Sequence, residues 1–211
     1  MKTSLVMLRE LVKGRLAGCF WKGNSAFVDG TARTALRIHV GCGPIDIAGW
    51  VNVDARPFPH VHLASNSVAL AEFSDGVLGE IYLCHVLEHF SFAEVDQLLG
   101  TYHKKLSDGG VLRISVPDFD LAIAAYQASG EDLELIRMAL MGGQDYEFNY
   151  HKSVFNKKLL TKLLTKTGFR EIETWDAVTD FGADIGDWST GSLRKKGVGS
   201  FPISLNLKAV R

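Results

Sequence analysis

The sequence predicts an α/β domain in which a mainly parallel sheet is covered by helices on both faces. Two observations lead to this prediction. Short apolar runs typical of buried strands alternate with segments whose apolar residues recur at helical spacing. The chain also has 211 residues, 46% of them hydrophobic, which is enough for one domain with a substantial core.

Strands are predicted at the short apolar runs that end in glycine, proline or a polar residue. The last run alternates strictly between apolar and other residues, and a long irregular segment at 180–200 precedes it. The predicted strands are 35–41, 50–54, 60–63, 80–84, 111–116, 169–175 and 201–210.

Helices are predicted from apolar spacing together with signals at their ends. Ser91 and Glu94 form a capping box, Asp108-Gly109-Gly110 ends the helix that begins there, and Gly168 ends the last helix. The predicted helices are the one beginning at Ser91, followed by 118–128, 132–141 and 156–167.

Residues 1–33 are expected to form an N-terminal helical extension to a main domain at 34–211. Leucines recur on one face of residues 4–15, which predicts an amphipathic helix. Arg9 and Glu10 interrupt its apolar stretch too early for a signal peptide. The helix is a candidate lid or homodimer contact, and simple packing against the domain is the alternative.

Composition excludes several classes of protein. The 23 Lys and Arg against 24 Asp and Glu give a net charge of −1, so a nucleic-acid partner is not expected. No apolar run approaches the roughly 20 residues of a membrane span. Cys19, Cys42 and Cys84 are widely spaced and odd in number, which argues against a disulfide scaffold and favours the cytoplasm.

Ligands of open α/β sheets bind outside the carboxyl ends of the strands. Gly41 and Gly43 follow the first predicted strand, where they indicate either a tight turn or a close backbone approach to a ligand. Asp54 ends the second strand, where a carboxylate can accept both hydroxyls of a ribose. Only eleven positions separate Gly43 from Asp54, against about 20 in the dinucleotide fingerprint, which disfavours NAD.

Two further strand ends carry chemically useful side chains. His85 ends the fourth strand, and on a helical turn His85, Glu88 and His89 share one face. Asp118 follows the fifth strand, where an N-cap and a functional role are both open.

Four ordered motifs together are more specific than any one of them. LRIHVGCG, GWVNVD, EIYLCHVLEHF and KKLSDGGVLRISVPD resemble the class I S-adenosylmethionine-dependent methyltransferases, in particular a compact branch of that family. The resemblance covers about residues 35–210. It implies a Rossmann-like seven-stranded sheet whose last strand is antiparallel and inserted between its neighbours.

The resemblance also implies S-adenosylmethionine as cofactor, with S-adenosylhomocysteine as product. The glycines would lie under its methionine part, Asp54 would bind the ribose hydroxyls, and Ala55 would lie beside the adenine. The family's adenine-side Asp is replaced by Ser67, with Asn66 beside it, so neutral hydrogen bonds would take over there. The implied cofactor-binding residues are Gly41, Cys42, Gly43, Asp54, Ala55, Asn66, Ser67 and His85.

His85 is the candidate catalytic residue, because an imidazole near the transferred methyl group can accept a proton from the nucleophile. A purely packing role is the alternative. No metal is expected, although His85, Glu88, His89 and His151 form a less favoured divalent-metal constellation. Residues 142–152 and 180–200, with Trp188, Arg194, Lys195 and Lys196, are the candidate substrate-recognition segments. For 180–200, a disordered surface excursion is the alternative.

The predicted function is methyl transfer from S-adenosylmethionine to an oxygen or nitrogen of a small-molecule or sugar/glycan-precursor acceptor. The alternative is a non-catalytic S-adenosylmethionine-binding regulatory or partner protein. A nucleotide-dependent oxidoreductase is a weaker third interpretation.

Overall fold

The computed structural model describes residues 20–21, 36–65 and 68–211. The predicted helix at 4–15 and two predicted cofactor contacts, Asn66 and Ser67, lie outside the described residues. The division into 1–33 and 34–211 therefore stays a prediction.

The main sheet has eight strands in the described part of the chain. They are β1 (Phe20–Trp21), β2 (Leu36–Val40), β3 (Val51–Asp54), β4 (Leu63–Ala64), β5 (Leu78–Cys84), β6 (Leu106–Pro117), β7 (Arg170–Thr174) and β10 (Ser204–Val210). Their order across the sheet is β1-β4-β3-β2-β5-β6-β10-β7. Strands β8 (Ser192–Lys195) and β9 (Gly199–Pro202) form a separate antiparallel hairpin.

Strands β2 to β6 pair in parallel, and β10 lies antiparallel between β6 and β7. The mainly parallel seven-stranded arrangement and the antiparallel insertion of the last strand are thus confirmed, although the predicted strand 60–63 shares only Leu63 with β4. The two-residue β1 adds an eighth strand, which pairs antiparallel with β4 at the sheet edge.

Capping residues mark the ends of the helices. In the capping box, the Ser91 N–H donates to the Glu94 carboxylate at 2.8 Å, and Gly168 takes a left-handed φ of 104° at the end of the last long helix. Asp118 is an N-cap, since its carboxylate accepts from the Asp120 N–H at 3.0 Å. The helices are α1 (Phe92–Lys105), α2 (Phe119–Ala128), α3 (Leu133–Met141), α4 (Lys157–Thr167) and α5 (Ala177–Phe181).

The two faces of the sheet are packed differently. Helices α1 and α4 cover one face, where buried residues such as Ile81, Ile114 and Leu207 form the main core. The opposite face is covered by α5 over the aromatic side chains of Trp50, Tyr82 and Trp175. The links from β2 to β3 and from β3 to β4 are loops without helices, as the short spacing from glycine loop to Asp54 requires.

Two parts of the chain differ from the predicted elements. The segment 180–200 is not irregular throughout, because β8 and β9 pair as a hairpin within it and the end of α5 overlaps it. The predicted strand 201–210 is divided at Ile203. Its N–H donates to the Gly191 carbonyl and its carbonyl accepts the Asp118 N–H, so neither group pairs with the neighbouring strand of the sheet. None of the described helices has the length and hydrophobicity that crossing a membrane requires.

His39 makes the stability of the fold depend on pH. Its ring is 1% exposed and stacks on Tyr82 at 5.0 Å, and burial lowers its pKa to about 4. The folded state therefore holds His39 neutral where the unfolded chain, with a pKa of about 6.5, binds a proton. The contribution of the neutral His39 ring to the unfolding free energy is therefore complete above about pH 6.5 and is lost as the pH falls towards 4.

We expect the wild type to lose about 2 to 3 kcal/mol more unfolding free energy than His39→Gln between about pH 7 and pH 4.5. Urea unfolding at the two pH values measures this difference. His103→Gln, on α1, is the matched control and should follow the wild type. Equal losses in the wild type and His39→Gln would show that His39 is not a source of the acid sensitivity.

Candidate active site

Two adjoining cavities form one cleft at the carboxyl ends of the parallel strands. The Asp54 cavity, of about 290 Å³, also contains Ala55, Ser65 and Val68 in its wall. The Trp188 cavity, of about 300 Å³, also contains Cys42, Glu88 and His151. Residues common to both walls are Gly41, Arg56, His85, His89 and Tyr146.

The glycine loop after β2 needs both of its glycines. Gly41 and Gly43 have φ angles of 63° and 55°, in the left-handed region that favours glycine. A Cβ on Gly41 would lie 2.4 Å from Val86 Cγ2, whereas a Cβ on Gly43 would meet only Arg56 Nη2, at 3.5 Å. The tight turn that the sequence left open is therefore present, and the close contact at Gly41 is with the Val86 side chain. The approach of this loop to a ligand stays a prediction.

Asp54 ties the glycine loop to the end of β3. Its side chain is 7% exposed, Oδ2 accepts the Gly43 N–H at 2.7 Å, and Oδ1 accepts the Arg56 N–H at 2.8 Å. Oδ1 also accepts from Arg56 Nε at 3.5 Å, whereas Oδ2 keeps a further lone pair that can accept a hydroxyl from a ligand in the Asp54 cavity.

His85 lies where the two cavities meet, and one of its ring nitrogens is hydrogen-bonded to Ser204. Its Nε2 lies 2.8 Å from Ser204 Oγ, and that hydroxyl donates to the Trp188 carbonyl at 2.6 Å. Because the Ser204 proton is used there, Nε2 carries a proton and donates to Oγ, which leaves the lone pair on Nδ1. Burial lowers the His85 pKa to about 3, so the ring is neutral at physiological pH.

The lone pair on His85 Nδ1 faces Glu88, whose Oε1 is 3.6 Å away. Glu88 is 1% exposed, and neither of its carboxylate oxygens has a hydrogen-bond partner in the part of the chain that the structure describes. Burial raises the Glu88 pKa to about 8. The backbone carbonyl of Glu88 accepts the N–H groups of Lys152 and Ser153, which ties the 142–152 segment to this wall of the cleft.

The four residues of the predicted constellation all line the Trp188 cavity. Glu88 and His89 lie on a 3₁₀ turn, Leu87–His89, rather than on an α-helical turn. His151 Nε2 is 3.9 Å from Glu88 Oε1, and burial lowers the His151 pKa to about 4.

The predicted substrate-recognition residues are separated by the structure. Trp188 lines its cavity and lies 6.0 Å from the His85 ring, measured between centroids. Arg194, Lys195 and Lys196 line neither cavity, and Lys195 instead pairs with Asp132 at 2.7 Å.

Sequence reasoning missed several residues of the cleft because their partners are distant in sequence. The buried Tyr82 hydroxyl donates to Asp187, and Ser204 positions His85. Arg56 packs against the Tyr146 ring at 5.0 Å, between the two cavities. The apolar alternation around Ser204 placed this residue within the predicted strand 201–210, without showing its partner.

No model of a known protein family matches the sequence, and no curated protein sequence is similar to it. Solved structures do resemble the fold. An S-adenosylmethionine-dependent methyltransferase from Archaeoglobus fulgidus has a TM-score of 0.50 at 14% identity, covering 99% of this chain and 94% of its own.

Two further solved structures have a TM-score of 0.53, and each covers 85% of this chain. One is a Burkholderia thailandensis 1,6-didemethyltoxoflavin-N1-methyltransferase with bound S-adenosylhomocysteine, matched at 15% identity over 72% of its length. The other is a Thermotoga maritima S-adenosylmethionine-dependent methyltransferase described as a possible histamine N-methyltransferase, matched at 11% identity over 83% of its length. The chain therefore has the class I methyltransferase fold that its motifs predict.

Proposed function

We propose that the protein transfers a methyl group from S-adenosylmethionine to a small-molecule acceptor. The observation that supports this best is the hydrogen bond from the Gly43 N–H to Asp54. It holds the tight glycine loop and the buried Asp54 carboxylate together at the edge of a sheet with the class I methyltransferase fold.

The Asp54 cavity fits the adenosine part of this cofactor. Asp54 has free acceptor capacity for the ribose hydroxyls, and Ala55 and Val68 offer small apolar contacts to the adenine. Gly41, at the junction of the two cavities, and Cys42, in the wall of the Trp188 cavity, would lie against the methionine part. Adenine recognition by Asn66 and Ser67 stays part of the proposal.

The Trp188 cavity would then receive the acceptor. Its volume of about 300 Å³ is at the lower end of the range of small-molecule pockets. Its wall combines Trp188, Met138 and Ile203 with the polar side chains of His85 and Asp187, which suits a small polar acceptor, sugars included. When bound, the sulfonium cofactor supplies an activated methyl group, and the protein's part is to hold the acceptor in line with it.

Calorimetry with S-adenosylhomocysteine tests the proposal, with NAD as the comparison ligand. We expect binding of S-adenosylhomocysteine and none of NAD. Methyl transfer to a panel of small acceptors, detected by mass spectrometry, tests catalysis. Binding without transfer to any acceptor would favour the non-catalytic alternative, and a preference for NAD would contradict the cofactor assignment.

We further propose that His85 is the catalytic residue, acting through Nδ1, the nitrogen that Ser204 leaves unprotonated. His85→Ala should lower turnover by about 100-fold or more, the usual scale for a lost proton acceptor. Affinity for S-adenosylhomocysteine should stay within about twofold. Calorimetry and a methyl-transfer assay on the same preparation measure the two effects.

Ser204→Ala is the companion variant, because it removes the anchor of the His85 ring and retains the imidazole. We expect a smaller loss of turnover than in His85→Ala. Unchanged turnover in His85→Ala would exclude His85 as the base.

A further inference from the structure

We propose that Glu88, His89 and His151 bind a first-row divalent metal ion in the wall of the Trp188 cavity. One ligand atom from each of the three side chains lies within 4.8 Å of the other two. The three residues come from two separate segments, the Leu87–His89 turn and the 142–152 segment, which meet at the cleft.

A backbone carbonyl orients each of the two imidazoles. His89 Nδ1 lies 3.2 Å from the Tyr150 carbonyl, and His151 Nδ1 lies 3.0 Å from the Ala139 carbonyl. A carbonyl can only accept, so each Nδ1 carries the proton and each Nε2 keeps a free lone pair. Orientation of a metal-binding imidazole by a backbone carbonyl is the usual second-sphere arrangement.

Glu88 supplies the independent observation that points to a cation. Its carboxylate is buried, and neither oxygen has a hydrogen-bond partner among the described residues. Burying a carboxyl group without partners costs free energy, and a metal ion in contact with its oxygens would remove that cost.

The backbone holds the three ligands close to a binding arrangement without the ion. The Glu88 carbonyl accepts from the Lys152 N–H at 2.8 Å and the Ser153 N–H at 3.1 Å, directly after His151. The His89 and His151 rings lie 4.9 Å apart between centroids. Glu88 Oε1 and His151 Nε2 are 3.9 Å apart. This distance differs by about 0.5 Å from the distance between two ligand atoms of a tetrahedral zinc site, in which each ligand atom is about 2.1 Å from the ion.

Two imidazole nitrogens and one carboxylate oxygen favour zinc and its first-row neighbours over calcium or magnesium, which prefer all-oxygen sites. Three protein ligands leave coordination positions open, and His89 and His151 both line the cleft. If the proposed function holds, an acceptor hydroxyl can bind the ion there. Its pKa would then fall, as the pKa of zinc-bound water does.

Zinc titration of the untagged full-length chain by calorimetry tests the site directly. We expect one site in the wild type and at least about tenfold weaker binding in Glu88→Gln and in His151→Asn. His103→Asn, at the far end of α1, is the matched histidine control and should bind like the wild type. Circular dichroism of each variant checks that it is folded.

Cobalt absorption spectra identify the ligands by a second route. Visible bands without a thiolate charge-transfer band are expected for nitrogen and oxygen ligands, and these bands should be lost in Glu88→Gln. A thiolate band, absence of zinc binding by the folded wild type, or equal affinity in Glu88→Gln would overturn the proposal. Binding of S-adenosylhomocysteine is measured separately, so its failure contradicts the proposed function and not the metal site.

Discussion

Asp54→Ala is expected to weaken S-adenosylhomocysteine binding by at least about tenfold, equivalent to about 1.4 kcal/mol. The substitution removes the acceptor for the ribose hydroxyls. It also releases the Gly43 and Arg56 N–H groups that the carboxylate holds at 2.7 and 2.8 Å, so the glycine loop loses its tether. Calorimetry at constant salt measures the loss.

Two variants separate the causes of this effect. Asp54→Asn keeps the side-chain volume and one acceptor oxygen, and we expect an intermediate affinity. Asp75→Ala is the control, because Asp75 is 65% exposed, pairs with Lys105 and precedes β5, at the opposite edge of the sheet from the cleft. Unchanged affinity in Asp54→Ala would remove Asp54 from the cofactor site.

Gly41→Ala should abolish measurable S-adenosylhomocysteine binding and lower the unfolding free energy by about 2 to 4 kcal/mol. The new Cβ would lie 2.4 Å from Val86 Cγ2, and the backbone φ of 63° is strained for alanine. Relief of the contact would displace the loop from the cofactor site. Urea unfolding and calorimetry measure the two effects.

The double variant Gly41→Ala/Val86→Ala removes the steric contact and keeps the backbone strain, so we expect partial recovery of binding. Gly43→Ala has the same kind of φ but no close contact, and it should cost less stability than Gly41→Ala. Equal damage in the two single glycine variants would contradict the steric explanation.

Local sequence signals predicted much of the fold. The Ser91–Glu94 box, the left-handed Gly168 and the alternation in 203–209 act within one turn or one strand, and each is confirmed. Asp118 was undecided between two roles, because an N-cap and a cleft carboxylate look alike in sequence. Its bond to the Asp120 N–H establishes the N-cap.

The parts that were missed depend on pairing over long sequence distances. The hairpin of β8 and β9 is stabilised against α2 and α3, through Leu193 and Ile136 among others, so its own residues carry little signal. The orientation of His85 depends on Ser204, 119 positions later. The strand β6 extends back to Leu106 because Gly109 and Gly110 pair with Arg211.

The insertion of β10 between β6 and β7 has a consequence during synthesis. Until the chain has been made through Val210, β7 has no strand to join and the edge of β6 is open to pairing with other chains. An open edge of this kind favours association between partly made chains until β10 joins the sheet. Because Ser204 lies on the same strand, the imidazole that it orients is held only once β10 has been inserted.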